Sequence, residues 1–106
     1  MKKRLFFLTK LREGVDPEDY ERFLREVDYP ETMRLLPVSY YRATRIRGRI
    51  LSDGDLPYQY IEVIDVDDYD AYLTALADMS PEVKALFDGV MSHLGEIVDL
   101  NGDVVE

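Results

Sequence analysis

The chain alternates between two hydrophobic periods, and the points where the period changes mark its elements. The clearest change lies in Pro57 to Leu76, PYQYIEVIDVDDYDAYLTAL. From Tyr58 to Val66 nearly every position is β-branched, aromatic or apolar, apart from Gln59, Glu62 and Asp65. Such a run predicts a strand covered on both faces, hence a central one. At Asp67 and Asp68 the period lengthens to about 3.6. Tyr69, Tyr72, Leu73 and Leu76 then fall at i, i+3, i+4 and i+7 behind an aspartate at the N-cap position, so a strand passes directly into a helix.

The flanking segments read in the same way. Lys3 to Leu11 (KRLFFLTKL) predicts a first strand with Leu5, Phe7, Thr9 and Leu11 on one face and Phe6 and Leu8 on the other. Asp16 as N-cap, Pro17 at the first helical position and the acids Glu18 and Asp19 open a helix that buries Tyr20, Phe23, Leu24 and Val27. Because Tyr29 precedes Pro30, that helix should stop near Asp28 or Tyr29. Glu31 to Pro37 reads as a short connection with about one irregular helical turn. Val38 to Ile50 predicts a second strand, with Tyr41, Ala43 and Arg45 opposite Tyr40, Arg42 and Thr44. Asp53-Gly54 in the following loop is a turn signal and makes strands two and three an antiparallel hairpin. Ser80-Pro81-Glu82 starts a further helix carrying Val83, Leu86, Phe87, Val90 and Leu94, ended near His93 and Gly95. Glu96 to Leu100 is a fourth strand, Asn101-Gly102 a turn, and Val104-Val105 a final pairing.

The resulting order, βαββαβ with the second helix in two pieces, describes one ferredoxin-like α+β domain over residues 1–106, a four-stranded antiparallel sheet with helices on one face. Helices cover only one side, yet the strands are apolar or aromatic on both. An uncovered apolar face of that size is an association site, so the pattern predicts a homodimer in which two sheets pack face to face into an α+β barrel.

Composition narrows the functional classes. The 106 residues, 46% hydrophobic and 33% charged, suit one domain with a modest core. No apolar run approaches the roughly 20 residues of a membrane span, and the four consecutive apolar residues near the N-terminus are too few for a signal-peptide core. Zero cysteines exclude disulfides and thiolate chemistry and accord with a cytoplasmic setting. The net charge of -9 divides unevenly: residues 1–52 carry 12 Lys and Arg against 8 acids, and residues 53–106 carry Lys84 alone against 14. Nucleic acid is therefore not expected as a partner, and without an apolar span neither is a membrane.

Three pieces of the chain together resemble a known family. They are LREGVDPEDYERFLREVDYP with its Asp28-Tyr29-Pro30, LPVSYYRATRIRG with Tyr41, Arg42 and Arg45, and PYQYIEVIDVDDYDAYL. They resemble the RedY-like (HapK-like) proteins of the dimeric α+β barrel superfamily over nearly the whole chain. The resemblance implies a homodimer working in natural-product biosynthesis of the prodigiosin or bisindole type. The wider superfamily includes cofactor-free monooxygenases, cyclases, dehydratases and isomerases, with some haem-binding members. Its EthD-like branch places a His-x-Pro near the end of the first helix. This chain has Asp28 there, so a role requiring imidazole at that position is not carried over.

Candidate chemistry is correspondingly sparse. Phosphate loops, GxSxG and HExxH are absent, a second histidine for metal binding is missing, and the acids 65, 67, 68 and 70 lack calcium-loop spacing. No cofactor or metal is therefore expected. His93, the only histidine, is the first candidate for proton transfer, although a helix C-terminus would equally hold it as a dipole partner. Asp28, at a helix end overlooking the space between sheet and helices, becomes a general acid or base if partly buried, and an ordinary surface acid if not. Eight tyrosines and four phenylalanines without tryptophan suit a flat, weakly polar ring. Tyr29, Tyr41 and Tyr60 are the expected substrate-lining residues, and Arg45 either holds an anionic group or pairs with Glu62 across the hairpin. The leading reading is cofactor-independent cyclisation, dehydration or tautomerisation of an indole- or pyrrole-type intermediate. The alternatives are a non-catalytic carrier of such an intermediate and a cofactor-free monooxygenase.

Overall fold

A computed structural model describes all 106 residues. Four strands, β1 (Lys3–Leu11), β2 (Tyr40–Arg45), β3 (Tyr60–Val66) and β4 (Leu94–Gly102), form one antiparallel sheet in the order β2-β3-β1-β4. The helices α1 (Pro17–Phe23), α2 (Tyr29–Leu35), α3 (Tyr69–Ala77) and α4 (Pro81–Met91) lie on one face. This is the ferredoxin-like α+β arrangement, a two-layer slab measuring 41 × 37 × 20 Å. The doubly apolar strand β3 is central as its pattern requires, flanked by β2 and β1.

Helix starts follow the side-chain caps. Asp16 accepts from the Glu18 N–H at 2.9 Å, Asp68 from Ala71 at 3.0 Å and Ser80 from Val83 at 3.2 Å, each satisfying a donor that the first helical turn leaves free. Pro17 and Pro81 follow their caps at the first helical position, where a missing N–H costs nothing.

Four boundaries differ from expectation. The first helix does not stop at Tyr29: it widens into a π-helical turn over Leu24–Asp28 and continues as α2 to Leu35. A proline ring clashes with the carbonyl four residues earlier, and a wider turn relieves that clash while keeping the helix axis going. The second strand is shorter than Val38 to Ile50, leaving Arg47 and Arg49 in the loop. The strand β3 begins at Tyr60, with Tyr58 outside it. The last strand is longer, because pairing with β1 from Leu11↔Leu94 to Arg4↔Gly102 draws Asn101-Gly102 into the ladder, and Val104-Val105 stays unpaired.

Register fixes what each sheet face carries. On the helix side lie Leu5, Thr9, Tyr41, Tyr60, Glu62 and Ile64, all buried. The opposite side aligns Val63 with Phe6 and Leu100, and Ile61 with Leu8 and Val98, a contiguous apolar patch. Arg4 and Asp65 form a bidentate pair at its margin, 2.7 and 2.9 Å apart.

Replacing Asp68 by alanine should cost about 1 kcal/mol of unfolding free energy by losing the α3 cap, measured by urea denaturation. Asp67→Ala, which removes no cap, should cost less than half of that.

Candidate active site

A cavity of about 130 Å³ lies between the sheet and the helices. Its mouth is apolar: Phe7, Phe87, Val90, Met91 and Ile97 are the lining residues that retain solvent exposure, and Met91 is 48% exposed. Its deep end is polar and closed, formed by Thr9, Asp28, Thr32, Tyr41 and Glu62. Asp28 is 2% and Glu62 3% exposed.

The two carboxyls are linked through one phenol. The Tyr41 oxygen lies 2.7 Å from Asp28 Oδ2 and 2.9 Å from Glu62 Oε1. Thr32 donates to Asp28 Oδ1 at 2.9 Å, while Tyr20 and Thr9 donate to Glu62 Oε2 at 2.7 and 3.0 Å. Every buried side-chain polar atom has a partner, as a low-dielectric interior demands. Neither carboxyl belongs to an ion pair. Burial therefore dominates their ionisation. It pushes Asp28 above the ordinary aspartate range, against the hydrogen bonds of Tyr41 and Thr32 and the field of His93. Burial raises Glu62 as well, against three hydrogen bonds and reinforced by the Asp28 charge. The Tyr41 phenol is driven far up, first by burial and then by both carboxylates.

The π-turn presents Asp28. Its wider ring joins Tyr29 N–H to the Leu24 carbonyl, and with it Asp28 becomes one of two buried residues of the turn. Such bulges recur at functional sites because they re-aim side chains within an unbroken helix.

The other expected site residues fall in two places. His93 sits beside the cavity and not in its lining: its ring packs on Phe23 and Tyr20, with centroids 4.6 and 5.6 Å away. Its Nδ1 lies 2.8 Å from the Gly89 carbonyl, an acceptor only, so Nδ1 carries the hydrogen. Tyr29, Arg45 and Tyr60 line a separate cleft at the β2 edge. There Tyr29 Oη accepts from the Ala43 N–H at 2.8 Å, using a donor that an edge strand leaves free. Arg45 does not pair with Glu62. It pairs with Glu21, which also accepts from the Tyr60 hydroxyl at 2.7 Å. Burial of Glu21 is outweighed by these bonds, and its carboxyl falls below the ordinary range. Of the four expected lining residues, the cavity contains Tyr41.

Glu62 is the principal residue that sequence reasoning missed. The available signal was parity: it shares a strand face with Tyr60, Ile64 and Val66, all buried.

Asp28→Asn isolates the linkage between ionisation and stability. The raised carboxyl contributes stability that is complete below its unfolded value near 3.8 and is lost as pH rises through the higher folded value. Wild type should therefore lose stability relative to Asp28→Asn as pH climbs above 3.8, measured by denaturation at a series of pH values. A difference that stays flat or has the opposite slope would contradict the assignment.

The HapK crystal structure from Hahella chejuensis superposes with a TM-score of 0.77 at 20% identity, covering 97% of this chain and 92% of that one. A dimeric ferredoxin-like protein of unknown function from Thermobifida fusca gives 0.68 at 21%, covering 98% and 92%. SnoaB, a cofactor-independent oxygenase from Streptomyces nogalater, gives 0.73 at 12%, covering 99% and 94%. At these identities the likeness is one of fold. No curated protein matches the chain. The family described as REDY-like protein HapK matches residues 3–102, and the chain belongs to that family.

Proposed function

We propose that this chain is a homodimeric, cofactor-independent enzyme of natural-product biosynthesis that cyclises, dehydrates or tautomerises an indole- or pyrrole-type intermediate. One observation carries the reading: a carboxyl of raised pKa, Asp28, stands at the closed polar end of an otherwise apolar cavity. Such a group keeps its proton to higher pH than an ordinary aspartate, which suits it to pass that proton to a ligand, and dry walls keep solvent from competing for a reactive intermediate. The cavity volume sets the ring size. Roughly 150 Å³ admits benzene, so about 130 Å³ accommodates one five- or six-membered ring. A second ring would extend through the mouth past Met91.

Asp28 is the proposed catalytic residue. His93 acts as a positioning residue, packed on the Tyr20 ring whose hydroxyl holds Glu62. Tyr41 bounds the ring-binding space, whereas Tyr29, Tyr60 and Arg45 support the edge behind it. The proposed homodimer covers the apolar sheet face of Phe6, Leu8, Ile61, Val63, Val98 and Leu100.

A carrier role is favoured by a different observation: all buried donors are satisfied internally, leaving little to orient a ligand for turnover. Tight binding of the intermediate without conversion would identify the carrier. Oxygen consumption with substrate would identify the oxygenase reading, which rests on fold likeness to SnoaB.

Incubation with the pathway intermediate should change its product profile. Asp28→Asn should lower the rate by about 10²- to 10⁴-fold, His93→Ala by less, and full activity in an Asp28→Ala, His93→Ala double variant would remove the proposal. In light scattering the protein should show twice the chain mass of 12.4 kDa, and Leu8→Glu should reduce it to one chain. A wild-type monomer would refute the dimer.

A further inference from the structure

The hydrogen-bond geometry around Tyr41 has a fixed proton count. Five contacts join the cluster: Thr32 to Asp28, Tyr20 to Glu62, Thr9 to Glu62, Tyr41 to Asp28 and Tyr41 to Glu62. The four hydroxyl groups supply one hydrogen each, and an ionised carboxylate supplies none. Tyr41 can donate to only one of its two neighbours. The fifth contact therefore requires a hydrogen on a carboxyl, donated into the Tyr41 oxygen.

We infer that Asp28, Tyr41 and Glu62 form a single acid–base unit in which two carboxyls share one proton across the phenol, with Asp28 as the resting acid and Glu62 as the resting base. The asymmetry follows from the donors. Glu62 Oε2 already accepts two hydroxyl hydrogens, whereas Asp28 Oδ1 accepts one. With Tyr41 turned toward it, ionised Glu62 receives three, and hydrogen bonds of that number stabilise a carboxylate. An Asp28 charge would raise Glu62 and the His93 field favours an ionised Asp28, but the third hydrogen bond to Glu62 outweighs both, so the neutral acid belongs on Asp28, giving its hydrogen to the Tyr41 oxygen.

Among the surrounding groups only His93 bears on the pair as a cation, its field favouring an ionised Asp28. Facing the pair are Tyr20 from α1, Thr32 from α2, Tyr41 from β2, Thr9 from β1 and Tyr72 from α3, with His93 behind Tyr20. From α4 come Phe87, Val90 and Met91, which do not titrate. No lysine or arginine bonds to either carboxyl.

Both carboxyls line the same cavity, so the unit serves a reaction that moves a proton without net gain or loss. Asp28 gives its proton to one ligand atom, and Glu62 removes a proton from another. The phenol then resets the pair: the proton on Glu62 passes to the Tyr41 oxygen while the hydrogen of Tyr41 passes to Asp28. Tautomerisation has this balance, as does a dehydration in which the leaving hydroxyl takes the Asp28 proton and departs as water while Glu62 takes the carbon-bound one.

The role in turnover rests on the function proposed above, but the shared proton is testable without any substrate. In full-length protein labelled with ¹³C at Asp and Glu carboxyls, the NMR titration should show one proton on the pair at pH 7, with Asp28 neutral and Glu62 ionised. Asp28→Asn and Glu62→Gln identify the two signals. In Glu62→Gln, removing the neighbouring negative charge should move the Asp28 midpoint down by about one pH unit or more. Two ionised or two neutral carboxyls at pH 7 in wild type, or an Asp28 midpoint unmoved by Glu62→Gln, would overturn the inference. Absence of turnover with an intact one-proton titration would instead refute the proposed function alone.

Discussion

Two carboxyl groups buried with no cation beside them are the constraint that shapes the interior of this domain. Taking a carboxylate out of water costs several kcal/mol unless donors replace the lost hydration. Here the donors are hydroxyls drawn from separate elements: Thr9 from β1, Tyr20 from α1, Thr32 from α2 and Tyr41 from β2. The same bonds therefore solvate the acids and join the helix layer to the sheet. Partly satisfied buried networks are costly, so the geometry of these elements is coupled: moving one hydroxyl strands a carboxyl on another element. The π-turn belongs to this arrangement, because Asp28 at its end supplies the acid that α2 and β2 hold.

The cavity above this network divides by chemistry as well as depth. Apolar side chains of α4, β4 and Phe7 form the mouth, and the acids and hydroxyls lie at the closed end. A weakly polar ring entering that space loses little hydration, and its polar atoms meet groups whose charges are compensated only by hydroxyls. The edge cleft is electrostatically different. Its Glu21 sits against the Arg45 guanidinium and stays below the ordinary carboxylate range, which makes it a structural anchor of β2 against α1. One protein thus keeps two kinds of carboxylate environment, the inner one raised by burial and the edge one lowered by its bonds to Arg45 and Tyr60.

Much of this was legible in the chain because the signals are local. Caps at Asp16, Asp68 and Ser80 mark three helices by short-range hydrogen bonding. Alternation places β1 and the central position of β3, and the apolar character of both strand faces separates a covered side from an open one. The misses lie where tertiary pairing decides. A residue before proline is biased away from helical angles, yet the π-turn absorbs Pro30 because α2 has packing to gain. Asn101-Gly102 reads as a turn until pairing with β1 holds it extended. The placing of Asp28 and Tyr41 beside the space between sheet and helices was legible from their positions. Glu62 was assigned to Arg45 because unlike charges across a hairpin are the commoner pairing; the burial of its strand face, which depends on the helices, decided otherwise. His93 was legible as a residue near a helix C-terminus, but not as one packed on Tyr20, since that contact depends on where α1 crosses.

The central claim is that the deep, carboxyl-floored cavity is where a ring binds. Titrating free indole into ¹⁵N-labelled protein and following backbone amide shifts tests it most directly. The account predicts saturable shifts at Thr9, Thr32, Val90 and Met91 around the cavity, with Ala43 and Arg45 at the edge cleft unmoved. Shifts confined to the edge cleft, or none at all up to the solubility of indole, would contradict it.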